Sequence, residues 1–450
     1  MTDVILVYPF YKRRFDNSPF RFPPLGLGYI ASFLIKNGFS VRILDGTFKK
    51  ETELVNEIRF CKPRVVGIYS MYSIDSDSTS IAEKVKDWTD LLVAGGPSPT
   101  FNPITFLNYF DVVAIGEGEN TMLEITKSIS NGDDIAGIDG VAIKDGKNVV
   151  FTSKRKNIED IDSIPFPERN LFDNEMYMNY HRKFFGQTVA SMISSRGCPY
   201  DCDFCSRPIF GNTLRVRTPE NVVNEMEILG KNSYDTIWFA DDCFTIHKDR
   251  VMKICDDIIN RGLSINWQCL SRVDSIDSEM ATRMREAGCR RIYFGIESGD
   301  DRILRTIMKK GIDTKTARKA VVEVNSSKIE TGGFFIIGYP GENNDSILKT
   351  INFATSLPFD YVSFTLPYPI PGTGLYKKVK GGLIDYKNKK MQIINHNLLF
   401  DSDFSEFKLK FAIIKGSLQF RIRKYFGFKG FNFFGVLFEK ITDIIFRILK

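Results

Sequence analysis

The sequence predicts an α/β protein: a doubly wound parallel sheet, then a partial (β/α)6 barrel, then a helical C-terminal region. Three observations lead there. Short aliphatic or β-branched runs alternate with helix-length segments over the first 150 residues, a second alternating series starts at Thr188, and the alternation stops after Tyr376. A chain of 450 residues is too long for one core, and its 43% hydrophobic and 26% charged residues lie in the globular range. The expected division is 1–137 for the first sheet, 138–187 for a hairpin and linker, 188–376 for the barrel and 377–450 for the tail.

In the first series, strands are expected at Val4–Val7, Val41–Leu44, Val65–Tyr69, Leu91–Ala94 and Val112–Ile115. Helices fall between them at Leu25–Asn37, Glu51–Cys61, Ser78–Trp88 and Thr121–Ser130. Ligands of such a sheet sit at the carboxyl edge of its strands. The chain is glycine-rich there, at Gly95-Gly96-Pro97 and at Gly116-Glu117-Gly118-Glu119; the second opens a helix, whose first N–H groups can face a polar ligand. Next come a hairpin around Asp145-Gly146 and the segment Ile164-Pro165-Phe166-Pro167, whose two prolines favour an extended linker. The second series places strands near Thr188–Ile193, Thr236–Ala240, Ile265–Cys269, Arg291–Ile296, Gly333–Ile337 and Tyr361–Leu366. Six strand–helix units fit a partial barrel with its site at the strand C-termini.

Eight cysteines and no secretory pattern over Met1–Tyr8 point to a reducing, cytoplasmic setting, and no apolar run is long enough for a spanning helix. The net charge of +6 is unevenly spread. From Phe407 to Lys450 ten basic residues face two acidic ones, a net +8, so the preceding residues are slightly acidic and a nucleic-acid partner is not expected.

Cys198, Cys202 and Cys205 fall within eight residues at the end of the barrel's first strand. Thiolates so spaced can ligate neighbouring corners of one cubane, whereas a structural zinc wants four ligands, usually as two pairs, and the next cysteine, Cys243, stands alone. A degenerate zinc knuckle or chance clustering is the alternative. The segment Arg196-Gly197-Cys198-Pro199-Tyr200-Asp201-Cys202-Asp203-Phe204-Cys205 resembles the signature loop of the radical S-adenosylmethionine (SAM) superfamily. The resemblance implies a 4Fe-4S cluster on the three cysteines, whose fourth iron chelates SAM; reductive cleavage then yields a 5′-deoxyadenosyl radical. It also implies an electron donor such as flavodoxin or ferredoxin, and it sets Phe204 near the adenine; the plain reading of Phe204 is an aromatic packed in the barrel mouth.

Further segments resemble the SAM contacts of that family. Trp238-Phe239-Ala240-Asp241-Asp242 ends the second strand with two carboxylates suited to an ammonium group, or to capping the next helix. Ser271-Arg272-Val273-Asp274 and Gly295-Ile296-Glu297-Ser298-Gly299 follow the next strands; the resemblance pairs Arg272 with the SAM carboxylate and Glu297 or Ser298 with the ribose. Gly332-Gly333 through Gly338-Tyr339-Pro340-Gly341 is similar to the segment that approaches the adenine.

Over nearly Met1–Tyr376 the chain resembles radical SAM families with an N-terminal, Rossmann-like cobalamin-binding domain, through Pro23-Pro24-Leu25-Gly26-Leu27-Gly28, the two glycine edges, Ile164-Pro165-Phe166-Pro167 and Pro369-Ile370-Pro371-Gly372-Thr373-Gly374-Leu375-Tyr376. Cobalamin is therefore expected, at Gly95, Gly96, Gly116, Glu117 and Gly118. A DxHxxG motif is absent and His181, His247 and His396 all follow the first domain, so Ser70, Met71 and Tyr72 are expected to cover the lower cobalt face. The resemblance implies methylation of an unactivated carbon of a small-molecule or lipid substrate. The alternatives are radical cyclisation, as in the related anaerobic porphyrin cyclases, and a nonenzymatic iron–sulfur or electron-transfer protein.

The tail holds eleven phenylalanines from Phe404 onward, and Phe434, Leu437, Phe438, Ile441, Ile445, Ile448 and Leu449 recur at helical spacing among Lys440, Arg447 and Lys450. This pattern suits a helix lying on an anionic membrane, peripheral at the inner surface, or one packed on the barrel with a solvated basic face.

Overall fold

The computed structural model describes residues 2–11, 21–205, 210–383, 397–426 and 433–449. By its internal contacts the chain forms two units, Met1–Ser191 with Arg207–Arg217, and Met192–Ser206 with Thr218–Lys450.

The first unit holds β1 (Val4–Tyr8), α1 (Leu25–Lys36), β2 (Val41–Asp45), α2 (Glu51–Cys61), β3 (Val65–Tyr69), α3 (Asp75–Val85) and β4 (Leu91–Gly95). It continues through α4 (Pro97–Phe101), α5 (Pro103–Phe106), β5 (Val112–Ala114), α6 (Gly118–Asn131), β6 (Val141–Asp145), β7 (Asn148–Phe151) and α7 (Asn174–Phe185). The sheet order is β2-β1-β3-β4-β5-β6-β7. The first five strands are parallel, and Val4 lies opposite both Val41 and Val65. Both faces are buried, as a parallel sheet requires: Val4 and Leu6 pack with Leu27, Ala31, Leu34, Met122 and Ile125, while Ile5 and Val7 pack with Leu54, Ile58, Ile81, Ala82 and Val85. Strand order reverses between β1 and β3, so the ligand crevice of this topology opens at the ends of those two strands.

Helix α3 begins three residues before its expected start, with Asp75 and Asp77 in its first turn, where the helix dipole favours negative charge. The hairpin around Asp145-Gly146 is not a separate segment. Its strand β6 pairs antiparallel with β5, Val113 opposite Ala142, and extends the sheet. Helix α7 also docks within this unit, with Tyr177 Oη donating to Asp45 Oδ2 (2.6 Å) and bonded to Thr47 Oγ1 (2.9 Å).

The rest of the chain carries β8 (Val189–Met192), the two-residue strands β9 (Ser195–Arg196) and β10 (Arg215–Val216), α8 (Pro219–Lys231), β11 (Thr236–Phe239), α9 (Lys248–Asn260) and β12 (Asn266–Ser271). Then follow α10 (Ser278–Glu286), β13 (Cys289–Glu297), α11 (Thr314–Ser326), β14 (Glu330–Ile336), α12 (Asn344–Ser356), β15 (Tyr361–Thr365) and α13 (Gly374–Val379). Six strands line up as β15-β14-β13-β12-β11-β8, the sequential order of a partial (β/α)6 barrel. Thr218, Asp277, Asp313 and Asn343 cap α8, α10, α11 and α12 by accepting a first-turn N–H. Because β11 to β15 pair in parallel, the segments after β11, β12, β13 and β14 emerge on one edge.

The tail folds into α14 (Glu406–Phe426) and α15 (Phe433–Ile448), with α14 against α12 and β15, and α15 against α14 and α12. No described helix is long and apolar enough to cross a membrane.

Candidate functional site

The loop that carries the cysteines leaves Arg196 through Gly197, whose φ of +87° a side chain would strain. Cys198, Cys202 and Cys205 are all half-buried, whereas Cys243, Cys255, Cys269 and Cys289 are buried in the barrel. Cys205 N donates to Cys202 O (3.2 Å), closing a turn that sets two of the thiols on one bend. Burial pushes the Cys198 thiol above its ordinary range, and the nearby Asp242 charge adds to this. Among the described residues no three His, Cys, Asp or Glu side chains converge as ligands of a single ion would. Thiolates on a cubane each bind a different iron, so three half-buried thiols on one short loop fit a cluster.

Around this loop the expected SAM contacts separate into two kinds. Asp241 is buried and fully engaged: Oδ1 accepts from Ser194 N (2.6 Å), and Oδ2 accepts from Ser194 Oγ (2.6 Å) and Ser195 Oγ (2.7 Å). It fixes the backbone just before the cysteines and caps no helix. Asp242, by contrast, is exposed, with no hydrogen bond of its side chain among the described residues; partial burial and the neighbouring Asp241 charge raise its carboxyl above the ordinary range. Arg272 forks onto Asp274 (Nε–Oδ1 2.9 Å, Nη2–Oδ2 2.8 Å), and its Nη2 also donates to Lys310 O (2.9 Å). Its guanidinium stacks 3.6 Å over the Tyr200 ring, and Nη1 reaches Cys202 Sγ at 4.0 Å. Arg272 therefore grips the cysteine loop and is not a free cation awaiting a carboxylate.

Glu297 is buried at the end of β13 with φ +77°, a strained conformation for a residue with a side chain, where the register to β14 also shifts. Its carboxyl is raised above the usual range by burial, which Lys310 Nζ, 3.4 Å from Oε1, opposes. A side chain at Gly295 would meet this carboxylate at 2.6 Å, so the glycine makes room for the pair. Ser298 is spent on structure: its Oγ accepts from Asp300 N (3.2 Å) and bonds Thr350 Oγ1 (3.0 Å). Phe204 is half-buried, edge-on to Tyr339 at 6.4 Å, with Lys310 Nζ 5.7 Å from its ring centre. Gly338 and Gly341 adopt φ of +84° and +93° in the turn after β14.

Sequence reasoning passed over Asp203, Lys310, Tyr339 and Lys378, although Asp203 and Tyr339 stand within quoted motifs and Lys378 two residues beyond one. The signal was there in part: Gly374 of the Pro-Gly-Thr-Gly segment has no room for a side chain because Asp203 Oδ1 occupies that space.

In the first unit the glycine edges play unequal parts. Gly95 and Gly116 face open space, and both stand at the carboxyl edge, which fits close approach by a large planar cofactor. Gly96 has φ +107° and its missing side chain would lie 2.5 Å from Ser70 O, while Gly118 makes room for Ile30. Glu117 is closed off: Arg215 Nη2 lies 2.9 Å from Oε1, and Nη1 (3.0 Å) and Ile158 N (2.8 Å) donate to Oε2. This buried ion pair, invisible from spacing, takes Glu117 out of the ligand set. Ser70 is buried and donates to Asp75 Oδ1 (2.6 Å), whose Oδ2 accepts from Ser98 Oγ (2.9 Å). Asp75 thus ties the loop after β3 to the one after β4, leaving Met71 half-buried and Tyr72 exposed at the crevice. His181 belongs to this unit after all, but its ring is fully buried and its Nε2 lies 2.6 Å from Arg21 O. His396 lies outside the described residues.

This combination of folds and loops defines a radical SAM enzyme with a cofactor-binding α/β domain. The Radical SAM superfamily model matches residues 192–354 and the B12 binding domain model residues 12–126. An uncharacterized methyltransferase of Pyrococcus horikoshii is 35% identical over 79% of this chain and 78% of its own length. An anaerobic magnesium-protoporphyrin IX monomethyl ester cyclase of Rubrivivax gelatinosus is 27% identical over 94% and 79%. The cobalamin-dependent SAM radical enzyme OxsB, solved with aqua-cobalamin and SAM, superposes over 99% of this chain and 72% of its own with a TM-score of 0.76 at 17% identity. The chain belongs to the radical SAM family that carries a B12-binding domain. Its cofactors are a 4Fe-4S cluster, SAM and cobalamin; it acts on a substrate and takes electrons from a donor.

Proposed function

We propose that this enzyme transfers a methyl group to an unactivated carbon of a small-molecule or lipid substrate, with Cys198, Cys202 and Cys205 as the cluster ligands. The observation that carries this reading is the three-thiol loop at the barrel edge in a chain whose 35%-identical relative is named a methyltransferase. When bound, the reduced cluster supplies the electron that cleaves SAM, and cobalamin supplies a methyl carrier. The protein's own part is positional. Asp242 and Glu297 face SAM; Asp241, Arg272 and Ser298 hold the loops that present them. Gly95 and Gly116 would admit cobalamin, with Gly96, Ser70 and Met71 beside them at the same strand edge. Flavodoxin or ferredoxin suits the role of donor.

In Cys202→Ala, reductive cleavage of SAM is expected to fall to background, measured as 5′-deoxyadenosine under dithionite; formation at the wild-type rate rejects the ligand assignment. Methyl transfer is tested with methyl-labelled SAM. A second reading, radical cyclisation, rests on the 27%-identical cyclase that spans 94% of the chain. It predicts a product lighter by two hydrogens in place of one heavier by a methylene.

We also propose that α15 brings the enzyme to an anionic bilayer. Leu437, Ile441, Ile444, Ile445 and Ile448 are exposed along one face, beside the exposed Lys440. Most described tail cations are engaged: Lys415 with Asp443 (2.8 Å), Arg423 with Glu439 (2.7 Å) and Arg447 with Asp345 (2.7 Å). Binding should therefore depend more on the apolar stripe than on charge. Replacing Ile444 and Ile448 with Asp is expected to abolish co-sedimentation with phosphatidylserine-containing liposomes; equal sedimentation of wild type with and without liposomes rejects the proposal.

A further inference from the structure

We propose that Asp203 is a positioning residue for the cluster loop, tying the bend between Cys202 and Cys205 to two other segments of the barrel mouth. Resting on the reading of the three cysteines as ligands, the inference concerns a residue that the signature spacing leaves unspecified. Asp203 sits between Cys202 and Phe204, and its side chain is buried. Its Oδ2 accepts from Tyr339 Oη (2.7 Å), in the turn after β14, and from Lys378 Nζ (2.7 Å), on α13. Its backbone is clamped as well: Asp203 N donates to Met308 O (2.9 Å) and Asp203 O accepts from Leu375 N (2.9 Å).

Three features make this more than local packing. The carboxylate would overlap any side chain at position 374, so the glycine after Thr373 is required by Asp203 itself. Tyr339 serves twice, donating to Asp203 while its ring stands edge-on to Phe204 at 6.4 Å, so the same contact fixes the aromatic next to the cysteines. Lys378 neutralises the buried charge and also donates to Ile307 O (3.3 Å), joining the loop to the segment after β13. Without Asp203, the bend carrying Cys202, Phe204 and Cys205 keeps its backbone bonds but loses the side-chain tie that sets its height over the strand ends. Groups that orient metal ligands from behind typically change affinity or activity by about 10–100-fold when removed.

The test uses the full chain, anaerobically reconstituted with iron and sulfide, in Asp203→Ala, Asp203→Asn, Lys378→Met, Gly374→Ala and Cys202→Ala. Readouts are iron per chain, the EPR spectrum of the reduced cluster with and without SAM, and the melting temperature of the cofactor-free chain. Asp203→Ala and Gly374→Ala are expected to retain iron but weaken the SAM-induced spectral change, with apparent SAM affinity reduced about tenfold. Asp203→Asn, which keeps an acceptor for Tyr339, should recover part of it. Lys378→Met should share the defect, since both act through one contact. Wild-type SAM responses in Asp203→Ala and Lys378→Met would overturn the proposal. Should Asp203→Ala fail to fold, the half-exposed Lys378 still decides it. Full iron retention in Cys202→Ala would instead reject the ligand reading, whatever Asp203 does.

Discussion

Glu342 shows how one buried side chain both shapes the barrel mouth and makes stability depend on pH. Its Oε2 accepts from Gly338 N (2.8 Å) and Tyr339 N (2.9 Å), holding the turn after β14, while Oε1 is buried without a partner among the described residues. Burial raises its carboxyl from 4.5 to about 7 against the pull of those two N–H groups. The folded chain therefore keeps a proton that the unfolded chain has already released. Stability from this group is fully present below about pH 4.5 and is lost as pH rises through 7, a difference of about 3 kcal/mol. Glu342→Gln is expected to flatten this slope, so that its melting temperature gains on wild type between pH 5 and pH 8; parallel curves for the two proteins would count against it. At this scale the grouping of the three cysteines on one loop was legible because their spacing is local. It did not disclose that Asp241 and Arg272 are structural while Asp242 stays open, since partners such as Ser194 and Lys310 are brought in by the fold.

Among the elements, the strands were the most legible part. Val65–Tyr69 is observed as expected, and the other expected strands differ only at their ends, because aliphatic clusters bounded by turn residues have few alternatives. The glycine edge Gly116-Glu117-Gly118 opens a helix, as expected, and its members differ in how they are placed. Gly116 is open; Glu117 is locked to Arg215, a residue 98 positions away. Removing one partner of such a buried pair typically costs about 3–5 kcal/mol. Glu117→Gln is thus expected to lower the melting temperature of the cofactor-free chain while leaving cobalamin affinity unchanged. Loss of cobalamin binding at full stability would return Glu117 to the cofactor. The hairpin around Asp145-Gly146 is present as expected, but it belongs to the first sheet and not to a separate 138–187 segment, because β6 pairs with β5.

For the whole molecule, the first expectation is compositional: the chain reconstituted anaerobically with cobalamin should hold iron and cobalt together, measured by metal analysis and its optical spectrum. Iron without cobalt would leave the cluster reading standing and withdraw methylation through cobalamin. The tail illustrates the limit of charge counting. A net +8 over its last 44 residues suggested a cationic surface, yet Lys415, Arg423 and Arg447 are spent on Asp443, Glu439 and Asp345, and what α15 leaves exposed is mainly apolar. By itself the sequence determined the two α/β units, the cysteine loop and the glycine edges, because hydrophobic period, turn chemistry and ligand spacing are properties of neighbouring residues. Tertiary structure alone decided which carboxylates are engaged, where the hairpin belongs and what holds the cysteine loop, because burial and ion pairing depend on residues far apart in the chain.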